Sequence, residues 1–141
     1  MKGDLFINGK DAFLTWGVNM GDSFIETLLA PSPMKEVIEN KSRIENGKRV
    51  ILTDRKYDER ELTLNFTLRG TSQADYLSKY KSFITDISSG EVLVKVPALG
   101  VEVYHLYYLR SASYGMGGSR TFSKISVKMN EPNPANRSSQ V

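Results

Sequence analysis

The sequence predicts a domain of the α+β class, mainly β, with one long helix packed on it, and three stretches carry that reading. Leu62, Leu64, Phe66 and Leu68 alternate with Thr63, Asn65, Thr67 and Arg69, the two-residue period of a strand with one apolar face. Tyr76, Leu77, Tyr80, Phe83, Ile84 and Ile87 recur at helical spacing. Val92, Val94 and Val96, followed after Pro97-Ala98-Leu99-Gly100 by Val101 to Arg110, predict a hairpin. A chain of 141 residues suits a single domain, predicted over residues 1–132, with a disordered tail at 133–141.

Along the chain, Leu5-Phe6-Ile7 runs into Asn8-Gly9, a pair suited to the positive φ angles of a tight hairpin turn. Ala12 to Val18 then reads as a second strand carrying Phe13 and Trp16. From Gly21 to Lys48 the periodicity weakens. Ser23 to Leu29 reads as a short helix or an irregular strand stopped by Pro31-Ser32-Pro33, and Met34 to Glu39 as a helical turn. Phe24, Ile25, Leu28, Leu29, Met34 and Ile38 have no periodic home there, so this connection is expected to pack on a neighbouring subunit or to be poorly ordered. Asn46-Gly47 turns the chain into Arg49 to Leu52.

The long helix is bounded by its own signals. Gly70 ends the preceding strand, Ser72 is placed to cap the helix with Asp75 three residues on, and Gly90 supplies a left-handed closure. Val103, His105, Tyr107 and Leu109 share one face of the next strand, and Tyr104, Leu106 and Tyr108 the other. Both faces are largely apolar, so a second layer is expected over this strand. Helix 73–88 and the first strands would supply it within one chain; a neighbouring subunit is the other source. Gly115-Met116-Gly117-Gly118 reads as a mobile connection to a last strand, Phe122 to Met129, with Ile125, Val127 and Met129 facing in.

Composition narrows the function classes. With 40% hydrophobic and 25% charged residues the chain is neither disordered nor membrane-like, and no apolar run approaches the roughly 20 residues that span a bilayer. The absence of cysteine removes disulfides and thiolate metal sites and suits a reducing cytoplasm. The net charge of +3 comes from scattered residues, which does not favour sequence-specific nucleic-acid binding.

No cofactor, metal site or catalytic constellation emerges. The single histidine, His105, has no activated nucleophile near it and reads as structural. Asp54 to Glu61 interleaves four acids with three bases, which reads as a solvated or subunit-contacting edge and not as paired catalytic carboxylates. Gly115 to Gly118 lacks the lysine and following helix of a phosphate cradle. Tyr104, Tyr107 and Tyr108 suit core packing or a protein interface, since only Arg110 lies near them to support nucleic-acid stacking.

The order of elements resembles the N-terminal domain of the distal tail proteins of long-tailed phages, and more broadly the tail-tube fold. The resemblance runs from about residue 3 to residue 132. It rests on a strand opening with Tyr57, Arg60, Leu62, Leu64 and Phe66, a helix carrying Tyr76, Tyr80 and Phe83, the hairpin after Gly90, and the closing strand at Ile125–Met129. It implies a β-sandwich flanked by a helix, in a structural virion or prophage protein without cofactor, assembled in the host cytoplasm. Six copies would form a ring that meets tail-tube or tail-tip proteins and leaves a channel for passing DNA. Distal tail, tube and secretion-tube roles all remain open. Tyr104, Leu106, Tyr108, Phe24, Leu28, Asp58 and Arg60 are the candidate subunit contacts, the last two setting register. Thr63, Asn65 and Thr67, polar and uncharged, are the candidate channel wall. The alternative is a small carbohydrate- or peptide-binding module using the aromatics of Tyr104 to Tyr108.

Overall fold

A computed structural model describes residues 2–34, 38–41, 48–51 and 58–137. In chain order its elements are β1 (Phe6–Ile7), β2 (Lys10–Asp11), α1 (Ala12–Trp16), β3 (Val18–Met20), α2 (Phe24–Leu29), β4 (Ile38–Lys41), β5 (Lys48–Ile51), β6 (Arg60–Arg69), α3 (Gln73–Ser88), β7 (Glu91–Lys95), β8 (Tyr104–Met116) and β9 (Phe122–Glu131). Seven strands form one antiparallel sheet in the order β2-β1-β7-β8-β9-β6-β3, and β4 pairs with β5 alone. The chain is mainly β with a helix on the sheet, as its pattern predicts. The two stacked sheets of a β-sandwich are not found among the described residues; one sheet carries the helices as its second layer.

The alternation in β6 and β9 decides which face is covered. Leu62, Leu64, Phe66 and Leu68 stand opposite Met129, Val127, Ile125 and Ser123, and all eight are buried beneath the helices. Four aromatic rings tie the layers together edge to face. Trp16 lies 5.5 Å from Phe83, Phe83 lies 5.4 Å from Phe66, and Phe66 lies 5.2 Å from Phe24. Phe83 therefore sits between α1 and β6, and α2 closes the far end through Phe24. Asp86 on α3 fastens the first hairpin, accepting from Asn8 Nδ2 at 2.9 Å and pairing with Lys10 at 3.3 Å.

Several local predictions fail for identifiable reasons. Ala12 to Trp16 is a helical turn and not a strand, because the Asp11 carboxylate accepts from the N–H groups of Phe13 and Leu14 and Gly17 closes the turn at φ 66°. A side chain at Gly17 would also strike the Arg69 carbonyl. Ser23 to Leu29 resolves to α2, whose Phe24 and Leu28 are buried in the chain's own core and need no neighbour to cover them. The predicted helical turn at Met34 to Glu39 gives way at Ile38 to β4. Its middle, and Asn46-Gly47, lie outside the described residues. Gly115 and Met116 belong to β8; only a tight turn, with Arg120 N–H on the Gly117 carbonyl at 3.0 Å, links it to β9. Residues 133–137 pack down instead of trailing away, with Pro134 buried and the Arg137 carbonyl accepting from Val103 N–H at 3.3 Å.

The long helix follows its caps closely. Ser72 Oγ accepts from Asp75 N–H at 3.1 Å, while the Asp75 carboxylate reaches back to Thr71 N–H at 2.8 Å, one residue earlier than a reciprocal capping box. The other end closes on Ser89, in the right-handed region, with Gly90 at φ 153°, so the left-handed closure is absent. The Thr71 N–H, aided by Lys79, holds the Asp75 carboxyl below its ordinary value of 3.8. A depressed folded pKa means that this cap stabilises fully above 3.8 and is lost as pH falls through the lower folded value. Asp75→Asn should therefore flatten the acid limb of the stability–pH profile, measured as thermal midpoint between pH 2 and pH 5. An unchanged limb would show that the cap does not titrate in this range.

Candidate functional site

β8 is the longest strand, and its two halves differ. Glu91 to Val94 of β7 pair with Tyr104 to Tyr107, and the ladder to β9 begins at Tyr107, where the strand passes from one partner to the other. Beyond Tyr108 it is bonded to β9 alone, with register shifts between Tyr108 and Arg110 and between Ser111 and Ser113. The far half thus extends past β7 as an arm backed by β9 and β6, and its outer edge is unpaired among the described residues. Such edges pair readily with another strand unless charges or prolines guard them, and Leu109 to Met116 holds one charge, Arg110.

At the arm's tip Tyr114 lies over Tyr80, ring centres 5.4 Å apart, and its hydroxyl meets that of Tyr76 at 2.6 Å. Tyr76 in turn donates to Ser123 Oγ at 2.6 Å. Burial, then the bond to Tyr76, pushes the Tyr114 hydroxyl far above its ordinary pKa, so this link keeps its protons across the physiological range. Beside it, Leu77 and Met116 remain 47% and 43% exposed and flank an apolar furrow completed by Ala74 and Arg120. At the opposite side of the sheet β3 pairs only with Phe66 to Leu68. The Arg60–Leu64 stretch of β6 has β9 on one side and no strand on the other among the described residues. A groove of about 540 Å³ runs there between β6, α2 and Pro31–Pro33.

The floor of that groove is built on an ionic cluster. Arg60 Nε donates to Glu131 Oε1 at 2.9 Å, and Arg60 Nη1 reaches the carbonyls of Leu28 and Ala30 at 3.0 and 2.8 Å, which caps the C-terminal end of α2. Arg137 Nε donates to Glu131 Oε2 at 3.1 Å, and its guanidinium stacks on Tyr104 at 4.8 Å. The Glu131 carboxylate raises the pKa of Arg137 further. Arg60 and Glu131 are buried, and Arg60 Nη2 finds no acceptor among the described residues. The cluster fixes where α2, β6, β9 and the chain after β9 meet.

The candidate contacts predicted from sequence do not fall on one surface. Phe24, Leu28, Tyr104 and Leu106 are core residues, and Tyr108 is half-buried against them. Asp58 is exposed and closes the base of the β4–β5 segment, its N–H on the Pro33 carbonyl at 2.9 Å. Arg60 is not a solvated edge charge but the buried hub just described. Asp54 to Tyr57 lie outside the described residues. The β8 tyrosines do not form a common binding face, since Tyr104 and Tyr108 point to the core and Tyr107 to the uncovered side. His105 lies 3.3 Å from Glu91, and no group of three or more potential metal ligands occurs among the described residues.

Thr63, Asn65 and Thr67 do lie on the sheet face that no described helix covers, half-buried, but that face is not uncharged. In the ladder Thr63 stands opposite Lys128 and Thr67 opposite Lys124. Reading β6 alone hides them, because strand order is needed to place β9 beside it.

Fold and surface together define a helix-backed antiparallel sheet that offers unpaired edges for contact. No family model matches the chain, and no curated protein matches it. Among solved structures it is similar in fold to the SPP1 Dit (gp 19.1) protein, described as a paradigm of the hub adsorption apparatus in phages infecting Gram-positive bacteria. The match has a TM-score of 0.59 and 15% identity and covers 93% of this chain. This chain spans 50% of the length of that protein.

Proposed function

We propose that the chain is a non-enzymatic structural component of a phage or prophage tail, a distal tail or tube protein, which forms a ring around a DNA channel. The likeness in fold to a phage hub protein supports the tail role. The observation that carries the ring is the pair of unpaired edges on one sheet, β8 beyond Tyr108 and β6 from Arg60 to Leu64. They are different surfaces, so joining one copy's β8 edge to the next copy's β6 edge is head-to-tail, and such contacts repeat until the rotation closes. The groove beside β6 leaves room for an incoming strand. The uncovered face carrying Thr63, Asn65 and Thr67 then lines the channel, while α3 stays outside. Partners along the tail axis are tube or tail-tip proteins.

Light scattering and electron microscopy of concentrated protein should show closed annuli with a hole wide enough for duplex DNA. Leu77→Glu combined with Met116→Glu should return the protein to a folded monomer, because two carboxylates would enter the apolar furrow beside the arm. A wild-type monomer at every concentration, with no annuli when tube or tip proteins are added, would end the ring reading.

A further inference from the structure

The uncovered sheet face arranges its cations in two rows. In the first, Arg110 on β8 stands opposite Lys128 on β9, which stands opposite Thr63 on β6. In the second, Gly115, Lys124 and Thr67 line up across the same strands. Between the rows lie Ser113, Ser126 and Asn65, with Ser126 Oγ donating to Asn65 Oδ1 at 2.6 Å. Ser113, Lys124, Ser126, Asn65 and Thr67 share one shallow depression.

Like charges directly opposite one another on neighbouring strands cost stability, yet Lys128 faces Arg110 across the ladder. Lys124 and Lys128 form no ion pair among the described residues, whereas Lys10 and Lys79 each have a carboxylate partner. Two acids lie nearby. Glu61 is 3.9 Å from Arg110, with both side chains more than half exposed, and Asp22 borders the depression beside Lys124. Neither reaches Lys128.

We infer that this face binds the phosphate backbone of duplex DNA through Lys124, Lys128 and Arg110. The inference rests on the reading of the face as a channel wall and names what the wall touches. Four residues separate Lys124 from Lys128, which at strand rise sets the rows roughly 13 Å apart. That is close to the roughly 12 Å width of the major groove, across which two phosphate backbones face each other. Hydroxyls and amides between the rows offer hydrogen bonds without sequence preference. Three cations per copy give weak, salt-sensitive contact, which lets a polyanion be held and still slide.

The test measures binding of a fluorescent 30-base-pair duplex to the intact chain between 50 and 200 mM salt, beside the double variant Lys124→Gln, Lys128→Gln. Losing two phosphate contacts should lower the salt slope by about 1.8 per copy. Wild type should then lose about tenfold more affinity over this range than the variant does. Equal slopes would overturn the inference, as would equal binding of polyglutamate, which would point to an acidic protein on this face. Electron microscopy of the same samples separates the two readings: annuli without DNA binding leave the ring standing and remove only this inference.

Discussion

Glu131→Gln is expected to destabilise the fold by about 3–5 kcal/mol, the range for breaking a buried ion pair from one side. The carboxylate lies between two guanidinium groups, and removing its charge leaves Arg60 buried and unneutralised. Arg137→Ala should cost less, since its side chain is 25% exposed and water can replace part of what it loses. Replacing Arg60 and Glu131 together with apolar residues of similar size would usually be close to neutral. Here it should remain destabilising, because the Leu28 and Ala30 carbonyls at the end of α2 lose their donor. Urea unfolding of the three variants measures the ranking. Glu131→Gln within about 1 kcal/mol of wild type would mean that the cluster relaxes around a neutral amide.

Phe83→Ala should cost a similar amount, about 3–5 kcal/mol, through a different mechanism. Phe83 is fully buried and meets Trp16 on one side and Phe66 on the other. Its loss opens a cavity at the centre of the aromatic line, and two edge-to-face contacts disappear with it. Phe13, exposed on the far side of α1, is the control; Phe13→Ala should fall near the small changes typical of surface positions. Comparable losses for the two variants in denaturant titrations would show that the core collapses around the missing ring.

Much of the scaffold is legible from pattern alone, where one periodic signal runs long enough to outweigh local chemistry. β6, α3 and β9 each alternate or repeat over many residues, and their buried positions follow those periods except Asn130, while Leu77 of the helical stripe stays exposed. The segment from Ala12 to Trp16 misleads because five residues fit a strand as easily as a helical turn, and a capping aspartate and a left-handed glycine decide between them. The site is less legible. Arg60 is in phase with Leu62 and Leu64, and Glu131 with Val127 and Met129, so the alternation already places both charges inward. The density of charge from Asp54 to Glu61 obscures that phase. The cation rows are illegible for another reason. Lys124 and Lys128 look like ordinary outward residues of β9 until the sheet order sets them beside β8 and β6.

The two bulges in β8 bear on how this arm can change length. From Tyr108 to Met116 the strand advances eight residues while its partner advances six, from Met129 to Ser123. Each extra residue reverses which side chains face α3, and the second reversal undoes the first, so Tyr108 and Tyr114 point the same way. Removing the extra residue at either bulge would leave Tyr114 opposite Ile125 and over Tyr80, because the ladder partners set which side chains face the helix. Removing a paired residue while both bulges stay would instead carry Tyr114 off Tyr80 and an outward side chain onto the helix. The bulges are thus the places where this strand gives back single residues without disturbing its tip.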